Sequence, residues 1–202
     1  MSKKYIFDLD GTLVDASERL YKLFQFLVPE SKLTKKEYWD FKRDKVGHQM
    51  ILERLFPNHS FDEFNKRWLG LIEAPEYLAM DSLYPDTIET LERLGQNCEL
   101  VLLTARQSKE NLFAELERLE IKKYFSKILV TEAKTDKAAL LGGLDFCGED
   151  FFVSDMGKDI AVGNAAGLRT IAVTHGFMSG ERLAEYKPAR LVGELGELSV
   201  QD

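Results

Sequence analysis

Short apolar runs alternate with helical patterns along this chain, and that alternation allows few folds. Tyr5-Ile6-Phe7-Asp8, Glu99–Thr104, Ile128-Leu129-Val130, Phe151–Asp155 and Thr170–Val173 each read as a strand. The second, Glu99-Leu100-Val101-Leu102-Leu103-Thr104, is apolar almost throughout, the pattern of a strand buried on both faces of its sheet. Between the runs lie helical patterns at Thr87–Leu94, Ser108–Leu119, Asp136–Leu144 and Asp159–Ala166, the last closed by Gly167. In the first of these Ile88, Leu91 and Leu94 share one face. Strand and helix in alternation predict an α/β fold, a Rossmann-like parallel sheet with helices on both faces.

Residues 16–81 interrupt the rhythm. They show helical spacing at Leu20, Leu23, Phe24 and Leu27, and again at Ile51, Leu52, Leu55 and Phe56, with no convincing strand. The stretch is too long for an ordinary crossover connection. It predicts a small all-helical cap, residues 16–81, inserted into an α/β core made of residues 1–15 and 82–202.

Whole-chain properties narrow the function classes. A chain of 202 residues suits one domain with a modest insertion. At this size roughly 70% of the unfolded surface is buried, so neither disulfides nor a structural metal are needed. Hydrophobic residues, 45% of the total, run from end to end, which speaks against disorder. No apolar run approaches the roughly 20 residues of a membrane span, so no membrane partner is expected. Lys3 and Lys4 lack the apolar segment of a signal peptide behind them. Cys98 and Cys147 form neither a metal spacing nor a disulfide framework, so a cytoplasmic location is expected. A net charge of −7 argues against a nucleic-acid polymer as partner. It also asks what would offset the charge around an anionic ligand.

The chemistry-bearing residues stand at strand ends. Asp8 and Asp10 are two apart, so an extended backbone aims both side chains the same way before Gly11-Thr12 turns the chain. Two carboxylates within a buried strand would be costly to desolvate, which places them at its carboxyl end, facing a crevice. Asp155 ends another apolar strand, and Asp159 follows one helical turn later. Such a convergence of carboxylates repels itself unless a hard divalent cation sits among them, and oxygen-only ligation suits Mg²⁺. Thr104 ends a third strand, with Ala105 and Arg106 after it. A hydroxyl and backbone N–H groups at such a junction can hold a phosphate oxygen. Lys134 and Lys137 flank the start of the next helix, and either can offer an ammonium to the same crevice.

Taken together, these residues resemble the haloacid dehalogenase-like superfamily of hydrolases. The first motif is Asp8-Leu9-Asp10-Gly11-Thr12-Leu13-Val14-Asp15, the second Leu102-Leu103-Thr104-Ala105-Arg106, and the fourth Val153-Ser154-Asp155-Met156-Gly157-Lys158-Asp159. The tail Leu168–Phe177 is similar to that of phosphoglycolate-phosphatase-like members. Three departures stand out: Ser154 replaces a usual glycine, Arg106 follows Ala105 where many relatives carry Asn after the hydroxyl residue, and the segment from Lys137 to Asp155 is short. The resemblance implies a phosphatase acting on a small phosphorylated metabolite, such as phosphoglycolate, a sugar phosphate or a nucleoside monophosphate. Asp8 would attack phosphorus to form an aspartyl-phosphate. Asp10 would protonate the leaving oxygen and then activate water. Mg²⁺ would be held by Asp8, the main-chain carbonyl of Asp10 and Asp155, with Asp159 in support. Thr104, Ala105 and a lysine, Lys137 preferred to Lys134, would hold the phosphoryl oxygens. Thr12 favours hydrolysis over the phosphomutases of the same fold, which often carry Val or Ile there.

The cap would select the substrate. Within it, Phe41–His48 combines cations with a flexible glycine, and its position resembles a specificity loop. Arg43, Lys45, Gly47 and His48, together with Arg106 of the core, are the candidate specificity residues. Trp39 and Trp68 read as cap core. A phosphoryl-acceptor signalling module is the alternative, and Asp10 and the large cap argue against it. A monomer or small homo-oligomer is expected. Residues 16–80 hold 11 Lys plus Arg against 10 Asp plus Glu, so the acidity belongs to the core, where a metal would offset part of it.

Overall fold

The computed structural model describes residues 3–199. From the N-terminus the elements are β1 (Lys4–Phe7), β2 (Val14–Asp15), α1 (Ser17–Leu27), α2 (Lys35–Arg43), α3 (His48–Leu55), α4 (Phe61–Leu71), α5 (Pro75–Leu78) and β3 (Ser82–Leu83). There follow α6 (Thr87–Gly95), β4 (Glu99–Thr104), α7 (Lys109–Arg118), β5 (Lys127–Val130), α8 (Lys137–Gly142), β6 (Phe151–Ser154), α9 (Gly157–Ala166), β7 (Arg169–Val173), α10 (Gly180–Ala184) and β8 (Arg190–Val192). Six strands pair in parallel in the order β5-β4-β1-β6-β7-β8, so β1 lies near the middle. This is the Rossmann-like sheet with helical insertion that the alternation predicts. The edge strand β8 escapes the sequence pattern because only Val192 of its three residues is buried.

Strand pleating divides the core in two. Tyr5, Phe7, Leu100, Leu102, Phe151 and Val153 point to one face, where Leu91 and Leu94 of α6 and Leu112 and Leu116 of α7 cover them. Ile6, Val101, Leu103 and Phe152 point to the other, against Leu141 of α8. Both faces are dry, which is why these strands are apolar at consecutive positions.

Helices α1–α5 build a separate core from Leu23, Phe24, Tyr38, Ile51, Phe64 and Trp68 among others. A capping box of Thr34 and Glu37 starts α2, and Ser60 caps α4. The chain enters and leaves this helical unit through β2 and β3, which pair antiparallel with Val14 opposite Leu83. The insertion docks on the core at two places. At one, the Arg43 guanidinium donates to the carbonyls of Gly176 (2.9 Å) and Thr174 (3.0 Å), while Lys45 pairs with Glu185. At the other, Glu73 accepts the backbone N–H groups of Gln107 (2.7 Å) and Ser108 (2.8 Å). No helix among the described residues is long and apolar enough to cross a membrane.

Candidate active site

Asp8, Thr104 and Asp155 lie at or just beyond the carboxyl ends of β1, β4 and β6, where an open parallel sheet presents its crevice. A cavity of about 760 Å³ opens there between sheet and insertion, lined by Asp8, Asp10, Thr104, Ala105, Lys137 and Asp159 among others.

The turn after β1 brings the acids together. Gly11 takes φ +82°, and a Cβ at that position would overlap the Asp155 carboxylate. Thr12 is fully buried and donates its hydroxyl to Asp155 Oδ1 at 3.0 Å. The Phe177 N–H donates to Asp155 Oδ2 at 2.6 Å, in a loop that Gly176 lets approach the same carboxylate. Burial, then the nearby Asp8 charge, push the Asp155 carboxyl well above its ordinary range, and those two hydrogen bonds only partly offset this.

Lys137, the first residue of α8, reaches Asp8 Oδ1 at 2.6 Å and Asp159 Oδ2 at 2.5 Å. Asp136 caps the same helix by accepting from the Ala139 N–H, which fixes where Lys137 emerges. Lys134 is 77% exposed and pairs with Glu132, away from the acids. Burial raises the Asp8 carboxyl to about 7 even though Lys137 pulls it down. Asp159 also accepts from Ser154 Oγ at 2.8 Å, so the serine at the usual glycine position anchors this acid.

Asp10 has different company. Arg106 Nε reaches its Oδ2 at 2.6 Å and Arg106 Nη2 its Oδ1 at 2.8 Å, and Arg19 Nη2 also bonds Oδ1. Burial acts to raise this carboxyl, but Arg106 and then Arg19 outweigh it and hold it at about 2. Arg106 is 3% exposed and continues to Glu115 Oε2 at 2.9 Å, while Arg19 Nε continues to Asp81 Oδ1 at 3.0 Å. Asp81 Oδ2 accepts no hydrogen bond and lies 3.5 Å from Arg106 Nη2. Burial raises the Asp81 carboxyl to about 8, with Glu115 contributing.

A pH dependence follows. A carboxyl with a folded-state value near 8 binds a proton that the unfolded chain gives up near 4. Its contribution is complete below about pH 4 and is lost as pH rises to about 8, at roughly 1.4 kcal/mol per pH unit. Asp81→Asn keeps the acceptor for Arg19 and removes this proton. Denaturant unfolding from pH 5 to 9 should show the variant gaining on the wild type up to about pH 8 and then running parallel. Parallel curves throughout would remove the proton from this cluster.

Among the described residues no group of three or more His, Cys, Asp or Glu is arranged as a metal cluster. The Asp10 carboxylate is taken by guanidiniums and that of Asp159 by Lys137. Arg106 is buried at the cavity wall and binds Asp10. Arg43, Lys45, Gly47 and His48 are absent from the cavity wall. Arg43 and Lys45 dock the insertion, Gly47 precedes α3, and His48 stacks among Phe24, Phe64 and Trp68 with its Nε2 2.8 Å from the Tyr38 hydroxyl. The insertion instead lines the cavity with Arg19, Leu20, Trp68, Leu69, Ile72 and Glu73.

The sequence reading missed Arg19, Asp81 and Glu115. Their signal was charge on an apolar stripe: Glu115 shares a face with Leu112 and Leu116, and Arg19 lies one turn before Leu23.

Comparison with known proteins gives three further findings. A family model described as haloacid dehalogenase-like hydrolase matches residues 5–173. Phosphoglycolate phosphatase 1 of Pseudomonas aeruginosa is 27% identical, over 96% of this chain and 77% of that protein. A phosphoglycolate phosphatase of Mesorhizobium japonicum is 26% identical, over 97% of this chain and 92% of its own length. Among solved structures, a haloacid dehalogenase-like family hydrolase from Streptococcus pneumoniae superposes with a TM-score of 0.78 at 23% identity, covering 97% of this chain and 96% of that one.

Proposed function

The chain belongs to the haloacid dehalogenase-like hydrolase family, and from that premise we propose that it is a Mg²⁺-dependent phosphatase of small phosphorylated metabolites working through an aspartyl-phosphate. The observation that carries this reading is the pair of buried carboxyls at Asp8 and Asp155, near enough for the Asp8 charge to act on Asp155, with Lys137 bonded to Asp8. The relatives' names support the phosphatase class.

The donor set fits a hard divalent cation. Asp8 and Asp155 offer carboxylate oxygens held in place by Lys137, Thr12 and Phe177, and burial together with the Asp8 charge acting on Asp155 would make an added positive charge favourable. Asp8, Asp155 and the Asp10 carbonyl would hold it. Bound Mg²⁺ would supply positive charge to the phosphoryl oxygens.

The chain's own residues do the rest. An Asp8 carboxylate oxygen forms the new bond to phosphorus as the bond to the leaving oxygen breaks, and that oxygen takes a proton from Asp10. Water then attacks phosphorus, Asp10 takes its proton, and the Asp8–phosphorus bond breaks to free phosphate. Lys137 and the Thr104 region orient and neutralise the phosphoryl oxygens. Held at about 2, Asp10 is ionised at neutral pH, the form the second step needs. The first step needs it protonated as the leaving oxygen departs.

The test is phosphate release from an aryl phosphate with and without Mg²⁺, alongside acid-quench trapping of labelled enzyme. Metal-dependent release with a short-lived phosphoenzyme is the expected result. A phosphoenzyme stable for many minutes without turnover would make the chain a phosphoryl acceptor instead.

A further inference from the structure

The cavity says more about the leaving group than the relatives' names do. Its volume, about 760 Å³, falls in the range that encloses drug-sized ligands, far more than a two-carbon acid fills. Leu20, Trp68, Leu69 and Ile72 form the part contributed by the insertion's apolar side chains, and Met156 and Phe177 continue that surface from the core.

Charge points the same way. Three cations on the wall are already committed: Arg19 to Asp10 and Asp81, Arg106 to Asp10 and Glu115, Lys137 to Asp8 and Asp159. Lys158, the fourth, is solvent-exposed in the first turn of α9, beside Asp159 in sequence. The insertion adds an acid, Glu73, which caps the backbone N–H groups of Gln107 and Ser108. A carboxylate on the leaving group would meet Glu73 and Asp10 and would have to take a guanidinium from a buried acid. Stranding that acid is a cost the small ester gains no contact to offset.

Resting on the phosphatase reading, we infer that the substrate is a phosphate monoester whose leaving group is uncharged and carries an apolar part of ring size, seated against Leu20, Trp68, Leu69 and Ile72. A leaving group of this kind covers the apolar surface and leaves the ion pairs intact. Specificity then comes from area: each added methylene in an apolar pocket is worth roughly 10-fold or more in kcat/KM.

The experiment compares naphthylmethyl phosphate, methyl phosphate and phosphoglycolate with Mg²⁺ present, three esters of alkyl alcohols that differ in bulk and charge. Naphthylmethyl phosphate should exceed the other two in kcat/KM by at least about 10-fold. Leu69 is 49% exposed, so Leu69→Asp leaves the fold intact and should remove most of that preference. Ile88→Asp, at a residue 40% exposed on α6 and off the cavity wall, should leave it unchanged. Phosphoglycolate or methyl phosphate matching the naphthyl ester, or Leu69→Asp keeping the preference, overturns the inference while the phosphatase reading stands. Failure of all three esters with Mg²⁺ overturns both.

Discussion

Asp8→Asn should lower Mg²⁺-dependent phosphate release by on the order of 10⁴-fold or more while leaving the protein folded. The substitution is nearly isosteric. Its amide oxygen can still accept from Lys137, which now lies 2.6 Å from Asp8 Oδ1, so the helix-start lysine keeps a partner. What disappears is the anionic oxygen that would bond to phosphorus, and no neighbour replaces it. Asp10 is held by Arg106 and Arg19, Asp159 by Lys137 and Ser154, and Asp155 by Thr12 and Phe177. Because burial already disfavours the Asp8 charge, the neutral side chain should not reduce thermal stability in the absence of metal. Phosphate release and a melting curve on the same preparation separate the two effects. Full activity in a folded Asp8→Asn protein would rule out the aspartyl-phosphate route.

Arg106→Ala should be the most damaging single change to stability, about 3–5 kcal/mol. Its guanidinium is buried between Asp10 and Glu115, with Asp81 3.5 Å away. Removing it leaves Arg19 as the one buried cation, among the described residues of this cluster, facing Asp10, Asp81 and Glu115. A second substitution tests whether stranded charge is the cause. Glu115→Gln in the Arg106→Ala background replaces an acid that has lost its guanidinium with a neutral amide and should recover part of the loss. A cavity effect alone would leave the double variant no better than the single one. Denaturant midpoints of the wild type, both single variants and the double variant complete the cycle.

Both predictions rest on residues that differ in how legible they are in the sequence. The sheet was legible because each strand is buried on both faces, so Glu99–Thr104 and Phe151–Ser154 announce themselves as apolar runs. The edge strand β8 was not, because it buries only Val192. The acids of the crevice were legible as strand-end residues, and Lys137 as the lysine that opens a helix. The partners of Asp10 were not. Arg19, Asp81 and Glu115 come from helix α1, the return crossing and helix α7, and nothing in linear spacing joins them. The segment Arg43–His48 was ambiguous for a physical reason. Cations beside glycine suit an anion, yet they suit equally a docking contact on backbone carbonyls, and Arg43 makes the latter with Thr174 and Gly176.

The short ribbon of β2 and β3 has its own implication. Val14 stands opposite Leu83 and Asp15 opposite Ser82, so the helical unit begins and ends at one point on the core. To the six-stranded sheet, everything between those two residues is a loop of nearly zero span. Its length and content can change without moving a single strand register, since closing a longer loop costs only about 0.6 kcal/mol per doubling. The helical unit, roughly a third of the chain, is thus modular, free to diverge while Asp8, Lys137 and Asp155 stay on an unaltered frame.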